Sequence, residues 1–281
     1  MGQFFLLIKI SKPFTMKKLS YLFVFSLSTV LIISSCSEPW QPVFNGENLD
    51  NWDTYLGTPV KGQDSLAEVV TEDRVFSIVQ EDGVNLIRIS GEINGSLATR
   101  DTFSNYHLQL IYKWGDEVFA TRNSGLLYHS FGEFGEAHGT WMVNIECQLM
   151  HERLGDTYLM NNTYCTASAT HDGDVFQYSP GGEDMKFSEE HNSKVIKKAL
   201  DAENPIGEWN KVDLYCVGRS AVHVVNGQKV MEIHNTGTLE NGEVVPLTSG
   251  KIQIQSEGGE MFIKTVQIKP IDEIPEEFPQ E

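Results

Sequence analysis

The chain predicts an all-β fold, a β-sandwich or jelly roll. Short runs of alternating apolar and polar residues recur along it, glycine-containing turns separate them, and helical periodicity is nearly absent. Residues 106–114 put Leu108, Leu110, Tyr112 and Trp114 on one side and His107, Gln109 and Lys113 on the other. Residues 125–129 form a short strand. The strictest alternation is in residues 143–149, where Val143, Ile145, Cys147 and Leu149 oppose Asn144, Glu146 and Gln148. Residues 212–217 and 221–225 flank Gly218-Arg219-Ser220. Asn226-Gly227 then turns the chain into residues 228–233, because both central positions of such a turn need positive φ. Residues 251–256 and 261–268 make a last hairpin around Glu257-Gly258-Gly259-Glu260. One short helix is allowed within residues 188–202, by Val195, Ile196, Ala199 and Leu200. Residues 171–192 read as a long surface loop, and residues 271–281 as an acidic tail with little order.

The first 35 residues are expected to be a signal peptide. Met16-Lys17-Lys18 opens a positive stretch, residues 19–33 are hydrophobic, and Ile33-Ser34-Ser35-Cys36 fits a bacterial lipoprotein cleavage box. Met16 begins a complete signal by itself and is the expected start. Cys36 then becomes the lipidated first residue, residues 36–41 a tether, and residues 42–270 one sandwich domain. The expected location is the bacterial envelope, on the periplasmic or outer-membrane surface, touching the membrane only through Cys36.

The full chain carries a formal charge of −18, and the 35-residue leader holds four lysines and no acids. The remainder therefore sets 17 basic against 39 acidic residues, near −22, which argues against nucleic acid or anionic lipid as ligand. A neutral partner such as an oligosaccharide or glycoside suits this balance. Beyond Cys36 the cysteines are Cys147, Cys165 and Cys216, an odd number that leaves at least one thiol unpaired. Cys147 and Cys216 fall on apolar strand phases and are expected as small buried hydrophobes. No CxxC and no zinc-type spacing occurs.

The candidate site is a polar strand face. A carboxylate flanked by two amides, as in Asn144, Glu146 and Gln148, suits the floor of a cleft better than a solvated surface. The strand at 251–256 repeats the pattern, with Lys251, Gln253, Gln255 and, one step on, Glu257 facing away from Ile252 and Ile254. In one curved sheet, Glu146 and Gln148 meet Gln255 and Glu257, and Lys113 and His129 join from polar phases of two further strands. Glu, His and Lys with supporting amides supply proton removal, proton donation and charge stabilisation. Trp141 and Trp209 offer stacking planes for a pyranose ring.

The motifs have a family likeness. Val43-Phe44-Asn45-Gly46-Glu47-Asn48-Leu49-Asp50-Asn51-Trp52, Asn123-Ser124-Gly125-Leu126-Leu127-Tyr128-His129 and Glu146-Cys147-Gln148 occur in that order. They are followed by Gly207-Glu208-Trp209-Asn210, Val225-Asn226-Gly227 and Gly250-Lys251-Ile252-Gln253-Ile254-Gln255-Ser256-Glu257-Gly258. The set resembles the 3-keto-disaccharide hydrolase domain family over residues 42–270. It departs in Phe262-Ile263-Lys264-Thr265, where the family often has Phe-Arg-Asn, and in the long insertion at 171–204. The resemblance implies a concanavalin A-like jelly-roll β-sandwich and an enzyme that hydrolyses 3-keto-glycosides or 3-keto-disaccharides by elimination then hydration. Glu146 is the expected base or ligand to an electrophilic group, His129 the proton shuttle or acid, and Lys113 the electrostatic partner of the enolate. Gln148, Trp141, Gln255, Glu257 and Tyr128 are the expected substrate-binding residues. No cofactor is required; a divalent metal polarising the ketone is compatible with the chemistry, though no metal ligand is assigned. The alternative is a non-catalytic glycan-binding surface lipoprotein on the same sandwich.

Overall fold

The computed structural model describes residues 1–2, 38–66 and 68–278. The expected signal peptide and Cys36 lie outside the described residues. The described residues from Glu38 to Phe278 form one compact unit.

Among the described residues two antiparallel sheets face each other across a single main core, as the alternation predicts. The larger has twelve strands, and its central run pairs Ser220–Val225, Asn210–Val217, Tyr106–Val118, Gly259–Pro270 and Val84–Ile89 in that spatial order. The smaller has seven, in the order Val195–Ile196, Thr157–Leu159, Val143–Gln148, Gly125–Phe131, Lys251–Ser256, Ile93–Thr99 and Trp52–Pro59. Each sheet mixes sequence-adjacent hairpins with strands brought in from distant parts of the chain, as a jelly-roll sandwich does. The apolar phases meet in the middle: Leu108, Leu110, Tyr112, Val212, Leu214 and Ile263 from one sheet, and Leu126, Tyr128, Ile145, Cys147, Ile252 and Ile254 from the other. The three described cysteines are free and buried. Asn226 and Gly227 have φ of 47° and 80°, so the Asn-Gly turn forms as its sequence demands.

Three elements differ from expectation. The segment read as a helix is extended: Val195–Ile196 joins the edge of the seven-stranded sheet, pairing with Thr157 and Tyr158. Val195 and Ile196 are β-branched, and pairing at a free sheet edge outweighs a weak helical pattern. The stretch read as a long loop contains two strands, Val175–Tyr178 and Glu183–Phe187, both paired with Thr163–Asp172. Glu183, Asp184 and Lys186 are exposed, while Phe176, Tyr178 and Phe187 pack into the core. The tail is anchored as well, since Ile271, Ile274 and Phe278 pack on Tyr215, Val222 and Val224 of the twelve-stranded sheet.

Candidate functional site

The outward face of the seven-stranded sheet carries a recess whose floor is set by strand register. Gly125 is opposite Gln148, and Leu127 is opposite both Glu146 and Gln253. Residues opposite one another share a face, so Glu146, Leu127 and Gln253 form one row. Gln148, Gly125 and, by continuing the register, Gln255 form the next. Gly125 is a requirement of this packing. A Cβ at that position would overlap both Glu146 Oε1 and Gln255 Oε1. The missing side chain lets a carboxyl and an amide from strands on either side converge over one backbone.

Convergence leaves two polar atoms unpaired. Glu146 is 2% exposed and Gln255 1% exposed, and Oε1 of each is buried with no hydrogen-bond partner. Gln253, one step along the same strand, shows the contrast. Its Oε1 accepts from Ser96 Oγ at 2.8 Å and Met142 N at 3.2 Å, and its Nε2 donates to Ser130 Oγ at 2.8 Å. Gln253 is therefore structural, whereas Glu146 and Gln255 carry the cost of buried, unsatisfied oxygens, which folded proteins tolerate mainly where function needs them.

Burial pushes the Glu146 carboxyl well above its usual range, and the Glu257 and Asp156 charges push it further while Arg153 pulls back. Glu257 is raised to about 7 by burial, opposed by a hydrogen bond from Asn123. Both carboxyls line a cavity of about 410 Å³ together with Asn123, Gln148, Gln255 and Arg153. Met150 N donates to Gln148 Oε1 at 2.9 Å, fixing the amide with Nε2 as its donor end. Arg153 Nε is held on Asp156 Oδ2 at 2.9 Å.

The opposite wall is aromatic. Trp141 donates Nε1–H to Gly95 O at 2.9 Å and packs with Leu127, Ala137 and Met160. His138, at φ 51°, stands edge-on to Trp141 and to Tyr158, with centroids 6.3 and 6.4 Å away. A polar floor, paired acids and aromatic walls are a combination suited to a hydroxyl-rich ring.

Five of the residues expected from sequence meet here: Glu146, Gln148, Trp141, Gln255 and Glu257. His129, Lys113 and Tyr128 do not. His129 stands in a bulge where the pairing with Val143–Gln148 shifts between Tyr128 and Phe131. At φ 51° it leaves the strand's alternation and turns among Tyr106 and Tyr128, 1% exposed, with burial holding its pKa down to about 4. Both ring nitrogens lack partners. Tyr128 points into the sandwich, where its hydroxyl meets His223 Nε2 at 3.1 Å. Lys113 belongs to the other sheet, where it pairs with Glu81 at 2.7 Å and lies over the Trp209 ring. Trp209 is thereby also removed from the recess. Asn94, Asn123, His138, Arg153 and Tyr158 were missed as lining residues. Asn123 sits in the quoted Asn-Ser-Gly motif, and His138 lies between Gly135 and Gly139, three residues before Trp141, but Arg153 left no sequence signal.

The fold and recess together define a β-sandwich with a polar, aromatic-walled recess on the outer face of one sheet. The chain belongs to the 3-keto-alpha-glucoside-1,2-lyase-like domain family, whose model matches residues 39–269, and so to a carbohydrate-acting class. Among solved structures it is similar to two Parabacteroides distasonis ATCC 8503 proteins provisionally classed as glycosyl hydrolases. One is 17% identical, with 83% of this chain and 100% of that one covered and a TM-score of 0.47. The other is 18% identical, with 83% and 94% covered and a TM-score of 0.48. A carbohydrate-binding module, CBM66, from Bacillus subtilis is 8% identical, with 69% and 91% covered and a TM-score of 0.40. No curated protein matches the chain. Among the described residues no group of three or more His, Cys, Asp and Glu side chains is placed to hold a metal ion.

Proposed function

We propose that the recess cleaves glycosides already oxidised to a ketone at C3, by elimination followed by hydration. The observation that carries this reading is Glu146, a carboxyl buried at the floor of an open polar recess, with an unpartnered oxygen and a second titrating carboxyl beside it. A plain glycan-binding face has no need of such a costly pair.

The C3 carbonyl acidifies the C2 hydrogen. A base takes that proton and the C2–H electron pair moves onto the carbonyl oxygen as an enolate. Its return forms C1=C2 and breaks the bond from C1 to the glycosidic oxygen, which leaves with a proton. Water then adds across C1=C2, hydroxyl to C1 and proton to C2, and the net change consumes one water. Carboxyls with separated proton affinities divide such work. Glu257, titrating near 7, is the base. Glu146, whose proton affinity burial and the neighbouring Glu257 charge raise, is assigned as the acid that protonates the departing oxygen. This moves the base away from Glu146, where the sequence reading put it. Arg153 and Gln148 Nε2 are the donors facing enolate charge, and Trp141 and Tyr158 flank the ring. Anchorage through Cys36 in the bacterial envelope belongs to the same proposal.

The test compares a 3-keto-disaccharide with its unoxidised parent in deuterated water, for the native protein and for Glu146→Gln. Cleavage of the keto sugar alone, deuterium at C2 of the product, and a folded, inactive variant are expected. Cleavage of both sugars, or undiminished turnover by the variant, overturns the mechanism.

A further inference from the structure

Arg153 lines two cavities. One is the recess; the other, of about 620 Å³, is bounded by Glu152, Asp156, Val175, Gln177, Lys197 and Leu200 among others. Arg153 is fixed between them by Asp156, whose second carboxyl oxygen accepts from Lys198 N at 2.8 Å. The far wall is equally built. Gln177 Nε2 donates to Lys198 O at 3.1 Å, and Lys198 Nζ donates to Glu152 O at 2.9 Å and Asp201 Oδ1 at 2.7 Å. Against this rigid polar frame stand two aliphatic side chains that the core does not use: Val175 is 46% exposed and Leu200 40% exposed. They come from segments more than twenty residues apart, yet both line this cavity. No aromatic side chain lines it, in contrast to the recess with Trp141 and Tyr158.

We infer that the second cavity is the leaving-group subsite, and that it selects 3-keto-glycosides whose aglycone has an apolar body over those whose aglycone is a second sugar. The inference rests on the elimination reading above and adds the substrate class. A pyranose needs a flat aromatic surface or a dense set of hydrogen-bonding partners, and the cavity offers two aliphatic contacts with its polar groups mostly paired to each other. An apolar ring system loses water against Val175 and Leu200 without breaking those pairs. Arg153 is common to both linings, so the second cavity adjoins the recess at that side chain.

The experiment measures kcat/KM of the native protein, Leu200→Asp and Val175→Asp on three substrates: a methyl 3-keto-glucoside, a 3-keto-disaccharide and a biphenyl-4-yl 3-keto-glucoside. The ratio of variant to native cancels the intrinsic leaving ability of each alcohol. The biphenylyl substrate is expected to lose about tenfold in each variant, and the other two to stay within about twofold. Thermal melting checks folding, and Leu200→Ala serves as a milder second variant. Turnover of the methyl substrate with an unchanged biphenylyl ratio overturns the inference while leaving the elimination reading intact. If no keto-glycoside is turned over, titration calorimetry with free 4-phenylphenol decides it: binding lost in Leu200→Asp supports the subsite, and no binding by the native protein overturns it.

Discussion

Replacing Glu257 by Gln should remove activity and yet stabilise the protein above neutral pH. The carboxyl rises from an ordinary 4.5 to about 7 on folding, because burial disfavours its charged form. The folded state therefore binds this proton more tightly than the unfolded state does. Below pH 4.5 the group is protonated in both states and costs nothing. As pH climbs from 4.5 to 7 the unfolded chain ionises while the folded one resists, and stability is lost across that window. At 1.36 kcal/mol per pKa unit, the loss is about 3 kcal/mol at pH 8 and under about 1 kcal/mol at pH 5. Glutamine keeps the shape and the Asn123 contact without the charge, so Glu257→Gln regains this amount. Urea unfolding of both proteins at pH 5 and pH 8 should show a stability gain larger at pH 8 by about 2.5 kcal/mol. An equal change at the two pH values, or a loss at pH 8, would falsify the picture of a desolvated carboxyl. The activity of the native protein should in turn rise through pH 7, as Glu257 becomes the ionised base.

Gly125→Ala should lower kcat/KM by about a hundredfold while costing about 1–3 kcal/mol of stability, since the methyl overlaps Glu146 Oε1 and Gln255 Oε1; native-like turnover would show that their convergence is irrelevant. Lys113→Ala should leave turnover within about twofold and stability within about 1 kcal/mol, because its partner Glu81 is exposed and the pair lies on the other sheet. A large loss of activity would return Lys113 to the site. Ile254→Ala, in the core beneath the recess, should cost about 2–5 kcal/mol in denaturant unfolding, and a change under about 1 kcal/mol would contradict the close-packed contact between the sheets.

The site was legible wherever strand alternation held. Glu146, Gln148 and Gln255 lie on regular strands, so period two alone put them on a shared polar face. Alternation failed at His129 because a single residue in the left-handed region resets the phase, and nothing in the local residue types announces a bulge there. It also misled at Lys113, whose phase was right but whose sheet was wrong. Arg153 and His138 come from loops, whose paths no periodicity encodes.

By itself the sequence determined the two-faced strands, the Asn-Gly turn and the apolar phases that must be buried, because these follow from local geometry and from the free energy of removing apolar surface from water. Only the tertiary structure decided which strands became neighbours. Placing Gly125–Phe131 between Val143–Gln148 and Lys251–Ser256 brings Glu146 and Gln255 over Gly125, and the connection after Lys251–Ser256 sets Glu257 against Asn123. Proton affinity followed from that meeting: a carboxyl's charge is governed by the water and the charges around it, and residues more than a hundred positions apart along the chain supply that surrounding.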